Sequence, residues 1–179
     1  MNVVIMQQPK IVLRKALPDS QLSYLQSNLL NLDLWPMWNQ FASRILSENH
    51  GILLPNQRID LHRVVAQQLI EDMWSIAKIE HGENPEFCQL VLQWHGQTIN
   101  GRTSALAIKQ LVVDITIVYG VNGGVEVSAW WEVSRLSKLL GFGNKIARQL
   151  VKQIYEDLTN NGIVGYQPTE SERQKSVAN

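Results

Sequence analysis

The chain has 179 residues, 45% hydrophobic and 18% charged, which is apolar enough to bury a core and excludes disorder along most of its length. Its 16 basic and 16 acidic residues balance, so any attraction to nucleic acid has to be local rather than a property of the whole molecule. The single cysteine, Cys88, excludes an internal disulfide and a cysteine-based zinc site. With no signal-peptide pattern in MNVVIMQQPK and no run near 18 apolar residues, the expectation is a cytoplasmic protein that is neither exported nor membrane-spanning.

In chain order, Val3 to Leu13 is a short Val- and Ile-bearing run broken by Pro9, compatible with an edge strand or an extended arm. Pro18-Asp19-Ser20 precedes Leu22, Leu25, Leu29 and Leu30, a spacing that predicts a helix from Ser20 to about Asn31. Asp33 as cap, Pro36 in the first turn, and Trp35, Trp38, Phe41, Ile45 and Leu46 at helical spacing predict a second helix to about Glu48. After loops at Asn49-His50-Gly51 and Leu54-Pro55-Asn56, Asp60 is placed to cap a third. Leu61, Val64, Val65, Leu69, Met73, Trp74, Ile76 and Ala77 carry it to about Ile79, and Gly82 closes it. The tryptophans fall on these apolar stripes and read as core rather than as stacking platforms.

From Gln89 to Ile99 the pattern changes to alternation, and Asn100-Gly101 predicts a tight turn into a return strand from Arg102. Ala105 to Tyr119 fits two periods. As a helix it aligns Ile108, Leu111, Val112, Ile115, Val118 and Tyr119; as a strand it alternates Leu111, Val113, Ile115, Ile117 and Tyr119 against Val112, Asp114, Thr116 and Val118. A turn at Gly120 to Gly124 leads into a strand from Val125 that extends towards Val133. Then come a short amphipathic helix, Ser134 to Leu140, a turn at Gly141-Phe142-Gly143-Asn144, and a long helix ending at Asn161-Gly162. Two helices joined by a tight glycine turn follow helix-turn-helix grammar.

Charge is unevenly placed along this pattern. Between Ser134 and Tyr155, Arg135, Lys138, Lys145, Arg148 and Lys152 stand with no acid, a balance of +5. Between Glu71 and Glu86, Glu71, Asp72, Glu80, Glu83 and Glu86 stand against Lys78, a balance of −4, which marks a possible protein-contact face. On the long helix, Ala147, Leu150, Val151, Ile154 and Leu158 form the stripe to be buried, leaving Asn144, Lys145, Arg148, Gln149 and Lys152 outward. These residue types suit phosphate and base edges. Lys145 and Arg148 early in the helix, with Glu156 and Asp157 late, oppose the macrodipole, which favours a partner as the reason for them.

Leu136-Ser137-Lys138-Leu139-Leu140-Gly141-Phe142 and Gly162-Ile163-Val164 resemble marks of bacterial winged-helix DNA-binding families. The resemblance holds if Ala105 to Tyr119 is a helix and Ile163-Val164 a strand, and it spans Ala105 to Tyr166, although the second helix is about a turn longer than usual and little chain follows Val164 to build a wing. It implies a DNA-binding module in which Asn144, Lys145, Arg148, Gln149 and Lys152 enter the major groove and Arg135 and Lys138 hold phosphates.

Enzyme signatures are weak. Gly141-Phe142-Gly143 lacks the third glycine of a dinucleotide fingerprint, no phosphate loop or nucleophile elbow occurs, and His50, His62, His81 and His95 show no metal-ligand pairing. The expectation is therefore an α+β, mostly helical chain. Residues 1–104 form helices with a small antiparallel β-hairpin for dimerisation or partner contact, 105–166 the DNA module, and 167–179 a disordered tail. The function expected is non-enzymatic binding of double-stranded DNA, for transcription regulation or DNA maintenance, as a homodimer and without cofactor or metal. The alternative is an assembly or adaptor protein in which Ala105 to Val133 is a β-hairpin and the long helix packs across the sheet.

Overall fold

The fold comes from a computed structural model that describes residues 8–104 and 107–167. Residues 3–7 of the predicted N-terminal arm and nearly all of the predicted tail, from 168 onward, lie outside the described residues. The elements in order are β1 (Ile11–Ala16), α1 (Asp19–Leu30), α2 (Trp35–Trp38), β2 (Arg44–Ser47), β3 (Arg58–Val65), β4 (Gln68–Glu83), β5 (Glu86–Ile99), β6 (Arg102–Thr103), β7 (Ile108–Val118), β8 (Gly124–Val133), α3 (Arg135–Leu139) and α4 (Gly143–Glu156). A single 3₁₀ turn, Leu32–Leu34, precedes α2, and a π-helical turn, Asp157–Asn161, continues α4.

The strands form one antiparallel sheet in the order β1-β8-β7-β5-β4-β3-β2, with β6 beside β5. Strands before and after residue 104 pair directly, β5 with β7 from Phe87–Val118 to Trp94–Leu111. Alternation builds its concave face: Leu90 and Leu92 of β5, Leu111, Val113, Ile115 and Ile117 of β7, and Val125, Val127 and Ala129 of β8 are all buried. Against this face lies the apolar stripe of α4, Ala147, Val151 and Ile154, followed by Leu158. Leu22, Leu25 and Leu29 of α1 complete the core.

The expected mostly helical class is therefore corrected to a sheet-dominated α+β fold. The third predicted helix is absent: residues 60–79 are β3, a turn and most of β4. The turn is made by Ala66 and Gln67, both at positive φ (48° and 65°), which is mirror-type hairpin geometry without its usual Asn-Gly signature. The second predicted helix stops at Trp38, because the Asn39 side chain turns back to accept the Phe41 N–H at 2.9 Å; Arg44–Ser47 is strand. The open choice at 105–119 resolves to strand over Ile108–Val118, with Ala105 outside the described residues.

Elsewhere the predicted elements are present. Asn100 (φ 51°) and Gly101 (φ 73°) make the expected tight turn, and α1, β5, β8, α3 and α4 fall where expected. The Ile163-Val164 strand of the winged-helix pattern is instead a turn, closed by the Val164 N–H on the Asn161 carbonyl at 3.0 Å.

Candidate functional site

Two irregularities bend the long β4–β5 hairpin. Trp74 pairs with Trp94, but Met73 pairs with Gly96, so His95 is extra in β5; Ile76 pairs with Leu92 and Lys78 with Val91, so Ala77 is extra in β4. Each bulge adds a local bend and re-aims the side chains beyond it. After the first, Gln97 joins Trp94 on the same side as Asp72.

Beyond that bend the sheet and α4 diverge, leaving a cavity of about 610 Å³. Its walls are Ile146, Gln149, Leu150 and Gln153 of α4, Val64 and Val65 of β3, Trp94 and Gln97 of β5, and Gln40, Phe41 and Ser43 of the segment after α2. The inner end is closed. Trp35 and Trp38, with ring centroids 5.7 Å apart, stand with Trp74, Leu61 and Leu92 around a residual void of only about 20 Å³. Trp35 is anchored there by donating its indole N–H to the Leu29 carbonyl at 2.9 Å. The hollow therefore lies along α4 from Ile146 to Gln153, beside this packed cluster.

Two charges sit in the cavity wall. Asp72 has a side chain only 4% exposed. Its Oδ1 accepts from Gln97 Nε2 at 2.8 Å and from Trp94 Nε1 at 3.3 Å, while Oδ2 lies 3.4 Å from an Nη of Arg63. The Arg63 guanidinium stacks 4.1 Å from the centre of the Phe41 ring. Burial pulls the Arg63 pKa down and the charge of Asp72 opposes that pull. Arg63 Nε, Asp72 Oδ2 and Trp74 Nε1 are buried without a hydrogen-bond partner among the described residues. A buried donor or acceptor left unpaired costs about 1–3 kcal/mol, so the wall offers polar capacity that a ligand or water would fill.

A second buried carboxylate fixes the geometry. Asp157, in the π-helical turn after α4, accepts the Gln40 backbone N–H at 2.9 Å and Gln153 Nε2 at 2.8 Å. Burial raises its pKa, opposed by these two hydrogen bonds. Since Gln40 and Gln153 both line the cavity, Asp157 ties one wall to the other.

The seven residues expected to contact DNA are placed differently from that expectation. Arg135, Lys138, Lys145, Arg148 and Lys152 are exposed and make no salt bridge among the described residues. Asn144 accepts a hydrogen bond from the Trp131 indole at 2.9 Å, and Gln149 lines the cavity. Gly143 opens α4 because nothing larger fits: an added Cβ would lie 2.6 Å from Ser137 Oγ and 3.0 Å from the Ala107 carbonyl. Arg63, Asp72, Gln97 and Asp157 were not singled out by sequence reasoning as site residues. The one available signal is an Arg and an Asp each two positions from a buried apolar residue, Arg63 after Leu61 and Asp72 before Trp74, on strands that alternate.

No family model and no curated protein sequence matches the chain. Its fold does match solved structures. Ara h 8.0201 overlays with a TM-score of 0.57 at 13% identity, covering 86% of this chain and 92% of that one. The hypothetical protein jhp0584 from Helicobacter pylori overlays with a TM-score of 0.61 at 9% identity, covering 94% of this chain and 99% of that one. A looser overlay, TM-score 0.49 at 11% identity, covers 52% of the di-domain ARO/CYC StfQ from the steffimycin biosynthetic pathway and at that distance says nothing of chemistry here.

The shared arrangement is a helix-grip fold, an antiparallel sheet holding a long C-terminal helix. It replaces the winged-helix resemblance and, with it, the reading as a double-stranded-DNA-binding transcription regulator. The physical reason is that the helix before the helix pair, on which that reading depended, is the central strand β7, so α4 covers a sheet rather than projecting as a recognition helix. Among the described residues no helix is long and apolar enough to cross a membrane.

Proposed function

We propose that this protein binds a small molecule in the cavity between α4 and the β3–β5 part of the sheet. The observation that carries the reading is a hollow of about 610 Å³, inside the range of small-molecule sites, in a fold whose adjoining core is filled with tryptophan. The ligand has an apolar body, which meets Phe41, Val65, Trp94, Ile146 and Leu150. Its polar end carries a hydrogen-bond donor for Asp72 Oδ2 and an acceptor for Arg63 Nε, two of the three buried atoms without a hydrogen-bond partner among the described residues. Arg63 and Asp72 neutralise one another, so a neutral polar end is favoured over an ionised one, which would leave a net buried charge. Phenols, hydroxyketones and amides meet these conditions. Binding is the whole of the proposed activity, and no catalytic step is assigned to the pair.

The test is a fluorescence titration with the neutral apolar amine N-phenyl-1-naphthylamine, followed by displacement with matched phenol, carboxylate and ammonium compounds. Saturable binding to the native chain is expected, lost in Gln149→Trp, which fills the cavity from an exposed helix position, and reversed best by the phenol. An absence of saturable binding, or binding that Gln149→Trp leaves unchanged, would refute the cavity as the site.

A further inference from the structure

The sheet-dominated fold leaves one surface unexplained. At the corner between α3 and α4, Leu136 is 65% exposed, Leu139 83%, Leu140 60% and Phe142 41%. These four bulky apolar side chains fall within seven consecutive residues and leave much of their surface to solvent. Exposed apolar residues scattered singly need no explanation, whereas a contiguous group marks an interaction surface. The corner also adjoins the cavity. The Ser134 N–H and Ser137 Oγ both donate to the carbonyl of Ala107, which lines it, and Ile146, 43% exposed, lines it from the first turn of α4. Across the opening, Val64 at the β3–β4 tip is 70% exposed.

Charge distinguishes among possible occupants. Arg135, Lys138, Lys145 and Arg148, all exposed, interleave with or follow these apolar groups along the chain, and none has an acidic partner among the described residues. The nearby acids are already engaged: Glu132 with Lys109, and Glu71 with Thr98 and His62. Helix α4 begins with no side-chain cap and no acid in its first turn, so its positive dipole end adds to the same field. Glu80, Glu83 and Glu86 lie around the β4–β5 turn, at the far end of β4 from the β3–β4 tip. The neutral chain is thus electrically polar, with a basic, apolar-studded end and an acidic end.

We propose that the α3–α4 corner docks on an anionic lipid bilayer, with Leu136, Leu139, Leu140 and Phe142 entering the headgroup boundary and the four cations meeting lipid phosphates. Apolar side chains interleaved with Lys and Arg are what surface attachment to such a bilayer requires. A nucleic acid would use the cations but leave the leucines in water. A second copy would bring like charges together. The docked orientation turns the cavity opening towards the bilayer and the acidic end away from it. This holds whether or not the cavity takes the ligand class proposed above.

The experiment is co-sedimentation of the full chain with phosphatidylcholine vesicles, with and without phosphatidylglycerol, at low and high salt. Three variants are compared: Leu139→Ser/Phe142→Ser, Lys138→Glu/Lys145→Glu, and the control Val121→Ser, fully exposed at the acidic end. All replace exposed side chains, so folding, checked by circular dichroism, is preserved. Each basic residue near an anionic surface contributes about a fivefold factor. The expected result is binding that needs phosphatidylglycerol, falls with salt, drops at least about tenfold in both corner variants and is unchanged in the control. A native chain that stays in the supernatant, equal binding to neutral vesicles, or indifference to both corner variants would overturn the proposal. So would light scattering that shows the corner already closed in a dimer without vesicles and opened by Leu139→Ser/Phe142→Ser.

Discussion

At the level of single residues, the Arg63–Asp72 pair is the most consequential feature. Asp72 holds two donors, Trp94 Nε1 and Gln97 Nε2, and the charge of the Arg63 guanidinium in a nearly water-free position. Removing the carboxylate leaves these groups in place and deprives the cation of its counter-charge, the situation in which breaking a buried pair costs about 3–5 kcal/mol. Because a fifth of the Arg63 side chain remains exposed, Asp72→Ala is expected to cost about 3 kcal/mol, at the lower end of that range. The double variant Arg63→Met/Asp72→Ala is expected to lose less than the sum of the two single losses, since the second substitution removes the orphaned charge. Urea unfolding of the native, single and double variants measures this, and strict additivity would show that the two groups do not interact. The same pair explains why the site was hard to read from the chain. Charged residues at inward positions broke the period-two pattern of β3 and β4, and the remaining apolar residues, Leu61, Val64, Val65 and Leu69, matched a helix.

At the level of elements, those whose burial is uninterrupted were legible. In α4 the fully buried positions, Gly143, Ala147, Val151 and Ile154, carry no polar side chain, and β8 places Val125, Val127, Ala129 and Trp131 inward without exception. β3 and β4 were not legible, because their turn uses Ala66-Gln67 where a turn residue was expected and because the bulge at Ala77 shifts the alternation of β4. The α3–α4 corner was legible as two helices but not as to its purpose, and Gly143 shows why. Its role is close approach: an added methyl would meet Ser137 Oγ at 2.6 Å, and the Ala107 carbonyl and Val133 Cγ1 each at 3.0 Å. Gly143→Ala gains helix propensity of about 1 kcal/mol and incurs overpacking of about 1–3 kcal/mol. The net expectation is destabilisation by about 1 kcal/mol. Faster proteolysis at the corner should accompany it, because α3 is pushed off Ala107. Denaturant midpoints and limited proteolysis test both parts, and a stabilised variant would mean that the corner is loose enough to give way.

At the level of the whole molecule, the two ends of the described chain close on each other. β1 pairs with β8, Lys15 Nζ donates to the Thr159 carbonyl at 2.8 Å, the Tyr155 hydroxyl to the Arg14 carbonyl at 2.8 Å, and Asn28 Nδ2 to the Gly162 carbonyl at 2.8 Å. None of these contacts is visible locally, which is why the cavity could not be seen in the sequence: its walls come from five elements brought together by pairings far apart along the chain. The same closure bears on the division into residues 1–104 and 105–166 that charge and patterning suggested. β5 uses one edge for β4 and the other for β7, so loss of either part exposes a long apolar strand edge and strips the concave face of its cover. One cooperative unfolding transition is therefore expected, with calorimetric and van't Hoff enthalpies equal, and a 105–166 fragment should melt without a transition. Two resolved transitions, or a fragment that melts cooperatively, would mean that β7, β8 and α4 hold together without β5. The cavity would then lie at a joint between two independently stable parts, and ligand binding should raise the two melting temperatures unequally. A single transition makes the cavity a defect within one core, and a ligand that fills it should raise the melting temperature of the entire chain.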